Sequence, residues 1–321
     1  MKRVTLLALA ITATIGMIGC AKQQPQKEEP KKLVPKDLNG TTETSTHTSG
    51  TVYASDRNLY LQECQNGIGR GCRKLGALYE LGLGVKKDLY KARHYVEKGC
   101  ELGSGDSCNR AGNYYEYKKF NLPIDTAKAA SYYHKGCELN YALACNNIGS
   151  SYTNGVGVVK NLDLAETFLQ KSIRLGYNAY NNLGYLYQMK GDDVKAEEYY
   201  KKGCQLQSPF ACANLGYLYQ DQGRYTDAYN QLIKACNMSK GNACRDASML
   251  IFNQKVNVDN PKQTIYQLNA NACELNDAVG CSNLGYIYET GYGVPKDAKK
   301  AKKYYKKACK LGNKASCQKA K

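Results

Sequence analysis

The residues with the clearest chemical potential in this sequence are cysteines, which recur in pairs eight positions apart. Fourteen of the 15 cysteines fall into such pairs, and Cys20 is left alone. The pairs are Cys64 and Cys72, Cys100 and Cys108, Cys137 and Cys145, Cys204 and Cys212, Cys236 and Cys244, Cys273 and Cys281, and Cys309 and Cys317. Paired thiols can form disulfides, remain as buried free thiols or bind a metal ion.

Disulfide formation within a pair requires the chain to reverse direction between its two cysteines. Residues eight apart on one continuous helix are separated by about 12 Å, whereas bonded cysteines have Cα atoms roughly 4.4 to 6.8 Å apart. Gly, Ser, Asn and Asp lie between many of the paired cysteines and are typical of helix ends and turns. Zinc sites favour closer ligands, and the sequence has no Cys-x-x-Cys. Disulfides are therefore favoured, with free thiols and metal binding as alternatives.

The N-terminus predicts export, which agrees with disulfides. Lys2 and Arg3 precede an apolar run over residues 4–18, the pattern of a secretory signal peptide spanning residues 1–20. The run is too short and too closely followed by polar sequence for a membrane-spanning helix. Disulfides persist outside the cytosol, so the signal and the cysteine pairs support each other.

The unpaired Cys20 has a separate predicted role. Residues 17–20, Met-Ile-Gly-Cys, resemble the bacterial lipobox, whose cysteine is acylated, although Met17 stands where leucine is usual. The residue after Cys20 is not Asp, which resembles the outer-membrane pattern. We therefore expect an exported outer-membrane lipoprotein, periplasmic or surface-exposed, with a lipid anchor. Ordinary cleavage and secretion is the alternative.

Residues 21–53 have almost no apolar side chains to bury and are rich in Pro, Lys, Glu, Thr and Ser. This composition predicts a disordered tether. The folded domain is expected over residues 54–321.

Residues 54–321 contain an internal repeat that predicts the elements positioning the cysteines. A glycine, replaced once by Ser248, recurs every 32 to 37 residues. The glycines are Gly76, Gly112, Gly149, Gly184, Gly216 and Gly285. Leu or Ile before most of these glycines and Tyr three residues after them indicate a first helix, and an Ala with a following aromatic marks a second. The period predicts stacked helical hairpins, with the small residue allowing close helix approach.

These features resemble the Sel1-like repeat, a relative of the tetratricopeptide repeat with an enlarged loop between its helices. Its Gly-x-Gly-Val signature with a following acidic residue stands at residues 82–88, 155–163 and 291–297, whereas the fourth and fifth units lack the enlarged loop. The resemblance implies an all-α fold, a right-handed α-solenoid of about seven hairpins. The sixth unit departs most, so its helix ends are open.

The cysteine pairs make the resemblance narrower. The array is similar to the secreted cysteine-rich Sel1-like proteins of Helicobacter and its relatives, in which each pair joins a second helix to the first helix of the next repeat. One junction lacks the pair, because the alignment puts Ile173 and Tyr180 at the two cysteine positions. We expect packing to replace bonding there, which makes this junction the weakest in the array.

The surface predicts binding to a protein, a peptide or a peptidoglycan-like ligand. The formal charge is +17, but an exported protein seldom meets nucleic acid, so we expect no nucleic-acid partner. We interpret the lysines as a solvated outer face, with binding to an anionic envelope polymer or an acidic protein partner as the alternative. First helices of tetratricopeptide-like arrays line a concave groove. The predicted groove residues are Arg73, Asn109, Asn113, Asn146, Asn181, Tyr185, Tyr217, Arg245 and Tyr286. The asparagines one place before the repeated Leu or Ile, including Asn147 and Asn182, are expected to cap neighbouring turns. The chain is expected to be monomeric.

Catalysis is the competing interpretation, because the cysteine-rich relatives are associated with β-lactamase or penicillin-binding activity. A serine β-lactamase needs Ser-x-x-Lys with Ser-Asp-Asn and Lys-Thr-Gly companions. The sequence offers only Ser316 to Lys319, with Cys317 inside it and neither companion. The three histidines, His47, His94 and His134, are scattered and are expected at the surface. We therefore expect no catalytic residue, metal ion or cofactor.

Overall fold

All regular secondary structure in the computed structural model, which describes residues 49–320, is helical. The predicted signal peptide, Cys20 and most of the predicted tether lie outside the described residues. The first nine helices are α1 Ser49–Gln65, α2 Gly69–Leu81, α3 Leu89–Glu101, α4 Gly105–Glu116, α5 Thr126–Glu138, α6 Ala142–Asn154, α7 Leu162–Arg174, α8 Tyr180–Lys190 and α9 Asp193–Gln205. The next seven are α10 Pro209–Asp221, α11 Tyr225–Asn237, α12 Gly241–Phe252, α13 Pro261–Glu274, α14 Ala278–Thr290, α15 Ala298–Lys310 and α16 Lys314–Lys319. One short 3-10 turn, Lys118–Phe120, follows α4.

The described helices pair into seven hairpins, from α2 with α3 to α14 with α15. Helix α1 precedes the first hairpin and occupies the place of a second helix without its partner first helix. Helix α16 follows the last hairpin and occupies the place of a first helix without a second helix. The predicted all-α class and the number of hairpins are confirmed. Helix α1 begins at Ser49, so the end of the predicted tether is helical.

The described part of the chain divides into two compact units. An N-terminal unit contains residues 49–212 and a C-terminal unit contains residues 213–320. The boundary lies within α10. Each unit is built from the same helical repeat.

The repeated glycine of a first helix lies directly against the second helix of its hairpin. A Cβ atom on Gly184 would lie 2.4 Å from the Tyr200 ring, and one on Gly285 would lie 2.8 Å from the Tyr305 ring. Side chains larger than glycine would therefore push the two helices of a hairpin apart. The sequence-based expectation of close helix approach at this position is confirmed.

The enlarged loops have seven residues, and their sequence signature has a physical basis. In the loops after α2 and α14, the final Asp caps the next helix, since Asp88 and Asp297 accept hydrogen bonds from the backbone amides of Lys91 and Lys300. Asn161 caps α7 in the loop after α6. The second glycine of that loop, Gly157, has φ 72°, and a Cβ there would lie 1.9 Å from the Thr126 carbonyl oxygen. Only glycine fits that position.

In five of the described hairpins, the tyrosine three residues after the repeated glycine stacks on an aromatic ring of its own second helix. Tyr187 stacks on Tyr199 with ring centroids 5.3 Å apart, and Tyr288 stacks on Tyr304 at 5.6 Å. The Tyr187 hydroxyl donates to Glu166 of the preceding second helix (2.6 Å). These tyrosines therefore join the core of one hairpin to the edge of its neighbour.

All seven cysteine pairs form disulfides in the structure. Each bond joins a second helix to the next first helix, and the bonded Cα atoms are 4.4 to 4.7 Å apart. At every one of these junctions the first helix begins three residues before its cysteine. The three residues between the two helices supply the chain reversal that the spacing predicts.

The junction without cysteines has a different local structure. Helix α8 begins at Tyr180 itself, the aligned cysteine position, so it lacks the three residues that open the other first helices. Tyr180 stacks on Tyr199 of its own hairpin at 6.3 Å. The side-chain oxygen of Asn178 is buried and accepts no hydrogen bond from the described residues. Because a buried acceptor without a hydrogen bond costs free energy, this oxygen adds to the reasons for expecting a weak junction here.

The sixth hairpin is helical despite its divergent sequence. Helices α12 and α13 are separated by residues 253–260, and Pro261 occupies the first turn of α13. Asn260 precedes it with φ 50°. Proline is favoured at this position because its missing N–H has no helical partner.

Candidate functional site

The C-terminal unit contains a cleft between its first helices α12, α14 and α16, with α13 and α15 behind them. We call this the C-terminal cleft. Its volume is about 440 Å³, within the size range typical of ligand sites. Three consecutive first helices thus leave a space that neighbouring side chains do not fill.

Apolar side chains form the walls of the C-terminal cleft. Met249 on α12 and Val279 on α14 line it while remaining 40 and 41 % exposed. Phe252 and Tyr292 also line it, with ring centroids 6.2 Å apart in an edge-to-face arrangement. An apolar ligand group placed between these side chains would be removed from water, which favours binding.

Polar groups of the cleft lining are largely bonded to one another. Asn283 donates to Asn269 Oδ1 (3.0 Å), and Asn269 donates to Ser248 Oγ (2.9 Å). The hydroxyl groups of Ser316 and Ser282 are 2.9 Å apart. These bonds fix the shape of the lining before a ligand binds, which lowers the entropic cost of binding.

Tyr286 and Lys319 give the C-terminal cleft a polar side. Lys319 Nζ lies 5.9 Å from the centre of the Tyr286 ring and donates to Glu289 Oε2 at 2.9 Å. The Tyr305 hydroxyl donates to the same carboxylate oxygen at 2.6 Å. Partial burial alone would raise the pKa of Glu289, but these two hydrogen bonds outweigh it, so the pKa of Glu289 is lowered. The Tyr286 hydroxyl has no hydrogen-bond partner among the described residues, so it is available to a ligand.

Only Tyr286 of the nine predicted groove residues lines the C-terminal cleft. Five others are more than nine-tenths buried within the N-terminal unit: Asn109, Asn113, Asn146, Asn181 and Tyr185. Their burial contradicts a direct ligand contact. The physical reason is that their positions face neighbouring helices rather than an open groove.

The buried asparagines connect successive first helices. Asn147 donates to Asn109 Oδ1 (2.8 Å), and Asn182 donates to Asn146 Oδ1 (2.7 Å). The expectation that Asn147 and Asn182 cap neighbouring turns is therefore wrong. Asn113 accepts a hydrogen bond from the Tyr133 hydroxyl at 2.8 Å. These buried amides satisfy each other and fix the register between hairpins.

The remaining predicted groove residues, Arg73, Tyr217 and Arg245, are partly exposed but bonded. Arg73 Nε lies 2.7 Å from Asp106 Oδ2. Arg245 Nε and the Tyr217 hydroxyl donate to the two carboxylate oxygens of Asp246 at 2.8 and 2.7 Å. These side chains remain predicted contacts, although a ligand would compete with bonds already made.

Sequence reasoning missed the residues that form most of the C-terminal cleft. The sequence shows that Met249 and Val279 are apolar, but their exposure on first helices is a feature of the structure. Phe252 and Asn269 lie in the divergent sixth hairpin, where the repeat pattern gave no register.

A family profile described as Sel1 repeat matches residues 69–104, 105–141, 142–177, 178–208, 209–225 and 278–313, more than half of the sequence. The chain belongs to the Sel1 repeat family. Repeats of this kind generally mediate protein interactions, and the chain is a Sel1 repeat scaffold. Residues 226–277 lie outside the matched ranges, and they include α12 and α13 of the C-terminal cleft.

Comparison with known proteins supports the fold. A crystal structure of a Sel1 repeat protein from Oxalobacter formigenes has a TM-score of 0.62 at 21% identity, covering 85% of this chain and 81% of that one. Cysteine rich protein B of Helicobacter pylori is 32% identical and covers 41% of this chain and 95% of that one, with a TM-score of 0.34. Cytochrome c oxidase assembly factor 7A of Xenopus laevis is 36% identical over 61 residues, 19% of this chain. The chain spans about a quarter of that curated relative's length.

Among residues 49–320, no cluster of three or more His, Cys, Asp or Glu side chains is arranged to hold a metal ion. His94 is exposed, and His134 Nδ1 lies 3.3 Å from Glu138 Oε1. The expected surface position of these two is confirmed, whereas His47 lies outside the described residues.

The seven disulfides indicate the compartment of the Sel1 repeat scaffold. Disulfides persist in oxidising compartments, so the protein is extracellular or periplasmic. Within the part of the chain that the structure describes, no helix is both long and apolar enough to cross a membrane.

Proposed function

We propose that this Sel1 repeat protein is an exported scaffold that binds an extended peptide segment of a protein partner in its C-terminal cleft. The observation that carries this proposal is the open, mostly apolar space between α12, α14 and α16. The cleft lies partly in residues 226–277, which the family profile does not match. Its lining therefore differs from the common repeat pattern, which would give this chain its own ligand specificity.

The lining of the C-terminal cleft suggests the chemistry of the bound segment. An aliphatic or aromatic side chain fits between Met249 and Val279, which are about 40 % exposed. The Tyr286 hydroxyl is available to bond the peptide backbone beside it. A peptide is favoured over a small polar metabolite because most of the lining is apolar.

The test is selection of random extended peptides by the oxidised full chain, followed by affinity measurement for the selected peptides. Met249→Lys with Val279→Lys places two charges in the apolar walls at positions that are already solvent-accessible. We expect at least about tenfold weaker binding, because full burial of an apolar side chain of this size contributes about 1.5 to 3 kcal/mol. The disulfides and helix content should be unchanged.

The matched control is Val159→Lys with Val194→Lys, which makes the same chemical change at residues that are 88 and 82 % exposed elsewhere. This control should bind as the unmodified chain does. Equal binding by both double variants would show that the peptides bind outside the C-terminal cleft.

Export and anchoring complete the proposed arrangement. A signal peptide over residues 1–20, acylation of Cys20 and a tether over residues 21–53 would hold the repeat domain, residues 54–321, at a membrane surface. The signal-like sequence and the disulfides support this arrangement. The anchored protein is proposed to be a monomer. A peptidoglycan-derived ligand is also compatible with this arrangement, so peptidoglycan fragments are included in the peptide-binding assay.

The β-lactamase alternative has one relevant observation, because Ser316 and Lys319 both line the C-terminal cleft. Ser316 is only 1 % exposed, and its hydroxyl lies 2.9 Å from that of Ser282. Lys319 is paired with Glu289. This arrangement disfavours nucleophilic attack by Ser316, because its hydroxyl is buried and the lysine is already paired. Metal-independent hydrolysis of a chromogenic cephalosporin that disappears in Ser316→Ala would establish the alternative.

A further inference from the structure

Helix α15 carries an unusual concentration of positive charge. Seven of its thirteen residues are lysines, and none is acidic or arginine. Its other side is a normal core-facing surface, since Ala301, Tyr305 and Ala308 are buried. The charges therefore lie on the side of the helix that faces solvent.

Four of these lysines form a straight stripe, which we call the α15 lysine stripe: Lys299, Lys303, Lys306 and Lys310. Spacings of four, three and four residues place them on one side of a helix over about 16 Å. All four are exposed. Together with Lys302 and Lys307 they surround an open hollow of about 480 Å³.

The α15 lysine stripe is not neutralised by the described protein. No ion pair with a carboxylate is observed for any of its four amines within residues 49–320, whereas neighbouring Lys300 lies 3.6 Å from Asp297. Helix α9 shows the usual alternative, because Lys201 and Lys202 pair with Glu197 and Glu198 at 2.6 Å. Like charges three or four residues apart repel on a helix, so an anionic partner would relieve this repulsion.

We propose that the α15 lysine stripe docks the protein on anionic phospholipid headgroups. Clusters of four to eight basic residues on an amphipathic helix are typical of attraction to an anionic membrane surface. The stripe has no exposed large apolar side chain, so the helix would lie at the headgroups without inserting into hydrocarbon. This contact would add to any N-terminal anchor and does not depend on the C-terminal cleft.

A headgroup layer fits the stripe better than an acidic protein does. Protein interfaces are depleted in lysine and enriched in arginine and aromatic residues. Arginine presents a rigid fork for shaped carboxylate or phosphate recognition, whereas lysine offers a mobile point charge. A stripe made only of lysine therefore suits a diffuse, fluid layer of negative charge.

The experiment compares sedimentation of the full chain with phosphatidylcholine vesicles that contain or lack about one third phosphatidylglycerol. A Cys20→Ser background is used throughout, so that no acyl chain is added. We expect selective binding to the anionic vesicles that is lost at about 0.5 M salt, where the Debye length is a few ångströms. Every variant carries the same apolar N-terminal run with Lys2 and Arg3, so a difference between variants does not come from that segment.

The decisive variant converts all four lysines of the α15 lysine stripe to glutamine. The matched control makes the same change at four exposed lysines of the N-terminal unit: Lys86, Lys118, Lys135 and Lys160. Since each lysine near an anionic surface contributes about fivefold in affinity, the loss of four lysines should weaken binding to anionic vesicles by about 600-fold. The control should lose much less.

Amine acetylation of the unmodified chain on the two vesicle types gives a local readout. Lys303 and Lys306 should react several times more slowly on anionic than on neutral vesicles, whereas Lys118 should not differ. If the two quadruple variants lose the same affinity, vesicle binding depends only on the net charge of the protein, and the proposal is overturned. Binding to soluble polyglutamate without binding to anionic vesicles would also overturn it.

Discussion

Asn182 donates a 2.7 Å hydrogen bond from its side-chain amide to Asn146 on the preceding first helix. Both residues are more than nine-tenths buried, at 8 and 3 % exposure. A buried donor that loses its acceptor retains its desolvation cost without compensation. The pair therefore restricts the two hairpins to one relative register.

Asn146→Ala should destabilise the protein by about 1 to 3 kcal/mol, because it leaves the Asn182 amide buried without this acceptor. The measurement is the urea midpoint of the oxidised chain. Gln170→Ala is the control, since it removes a bond to Glu166 within one helix and near the surface. A double-mutant cycle with Asn182→Ala should give a coupling energy of at least about 0.5 kcal/mol, and additive effects would contradict a direct interaction.

Thiol labelling tests the disulfide framework. Under denaturing, non-reducing conditions, the fourteen paired cysteines should give no free thiol, because each lies in a disulfide. Replacing Cys100 and Cys108 together by serine should destabilise the chain by roughly 2 to 3 kcal/mol, since closing a loop of nine residues restricts the unfolded chain. Several free thiols per chain would contradict the framework.

The helical hairpins could be predicted because their signals are local. The recurrence of Gly184 and its equivalents, the Asp of the loop signature and the cysteine spacing each determine backbone geometry within a few residues. The repeat period then predicts the stacking of neighbours. The same reasoning anticipated the chain reversal between Cys100 and Cys108.

The positions of the groove residues could not be predicted in the same way. Asn146 and Asn147 are adjacent, so their side chains point about 100° apart around the helix. A small error in the assumed rotation of the helix therefore assigns a residue of the helix interface to the open groove. The cleft wall at Phe252 depends on how the divergent sixth hairpin packs. That packing involves residues far apart in sequence, such as Phe252 and Tyr292.

Alkaline pH should destabilise the N-terminal unit through Tyr133. Complete burial, with Glu116 nearby, raises the pKa of Tyr133 well above its usual value. A raised tyrosine pKa stabilises the folded state fully below about pH 10, and this contribution is lost as pH rises further. Tyr133→Phe should therefore reduce the fall in unfolding free energy above pH 10. Tyr90→Phe, at a residue 61 % exposed, is the control and should leave the slope unchanged.

The membrane anchor is tested at Cys20. Cys20→Ser should abolish labelling by a fatty-acid analogue and release the protein from the lipid-anchored fraction, because no other cysteine lies in the lipobox-like segment. The measurement is labelling followed by fractionation at high salt, which also weakens electrostatic membrane contacts. Unchanged lipid labelling would rule out acylation at this residue.

The junction between α7 and α8 should be the first to open under oxidising conditions. It has Ile173 and Tyr180 in place of a disulfide, a shortened first helix and the unpartnered oxygen of Asn178. Opening one junction of a repeat array exposes one interface without unfolding the hairpins on either side, because stability is nearly a sum over neighbours. The remaining packing at such a site contributes only a few kcal/mol.

Hydrogen exchange of the oxidised protein measures this directly. Protected amides in residues 165–190 should exchange faster than those around the bonded junction between Cys137 and Cys145. Tyr180→Ala removes the stacking on Tyr199 and should accelerate exchange in residues 165–190 more than at distant hairpins. Reduction should erase the difference, because it weakens the bonded junctions and leaves this one unaffected. If residues 165–190 exchange as slowly as the bonded junction before reduction, the missing cysteines do not create a hinge.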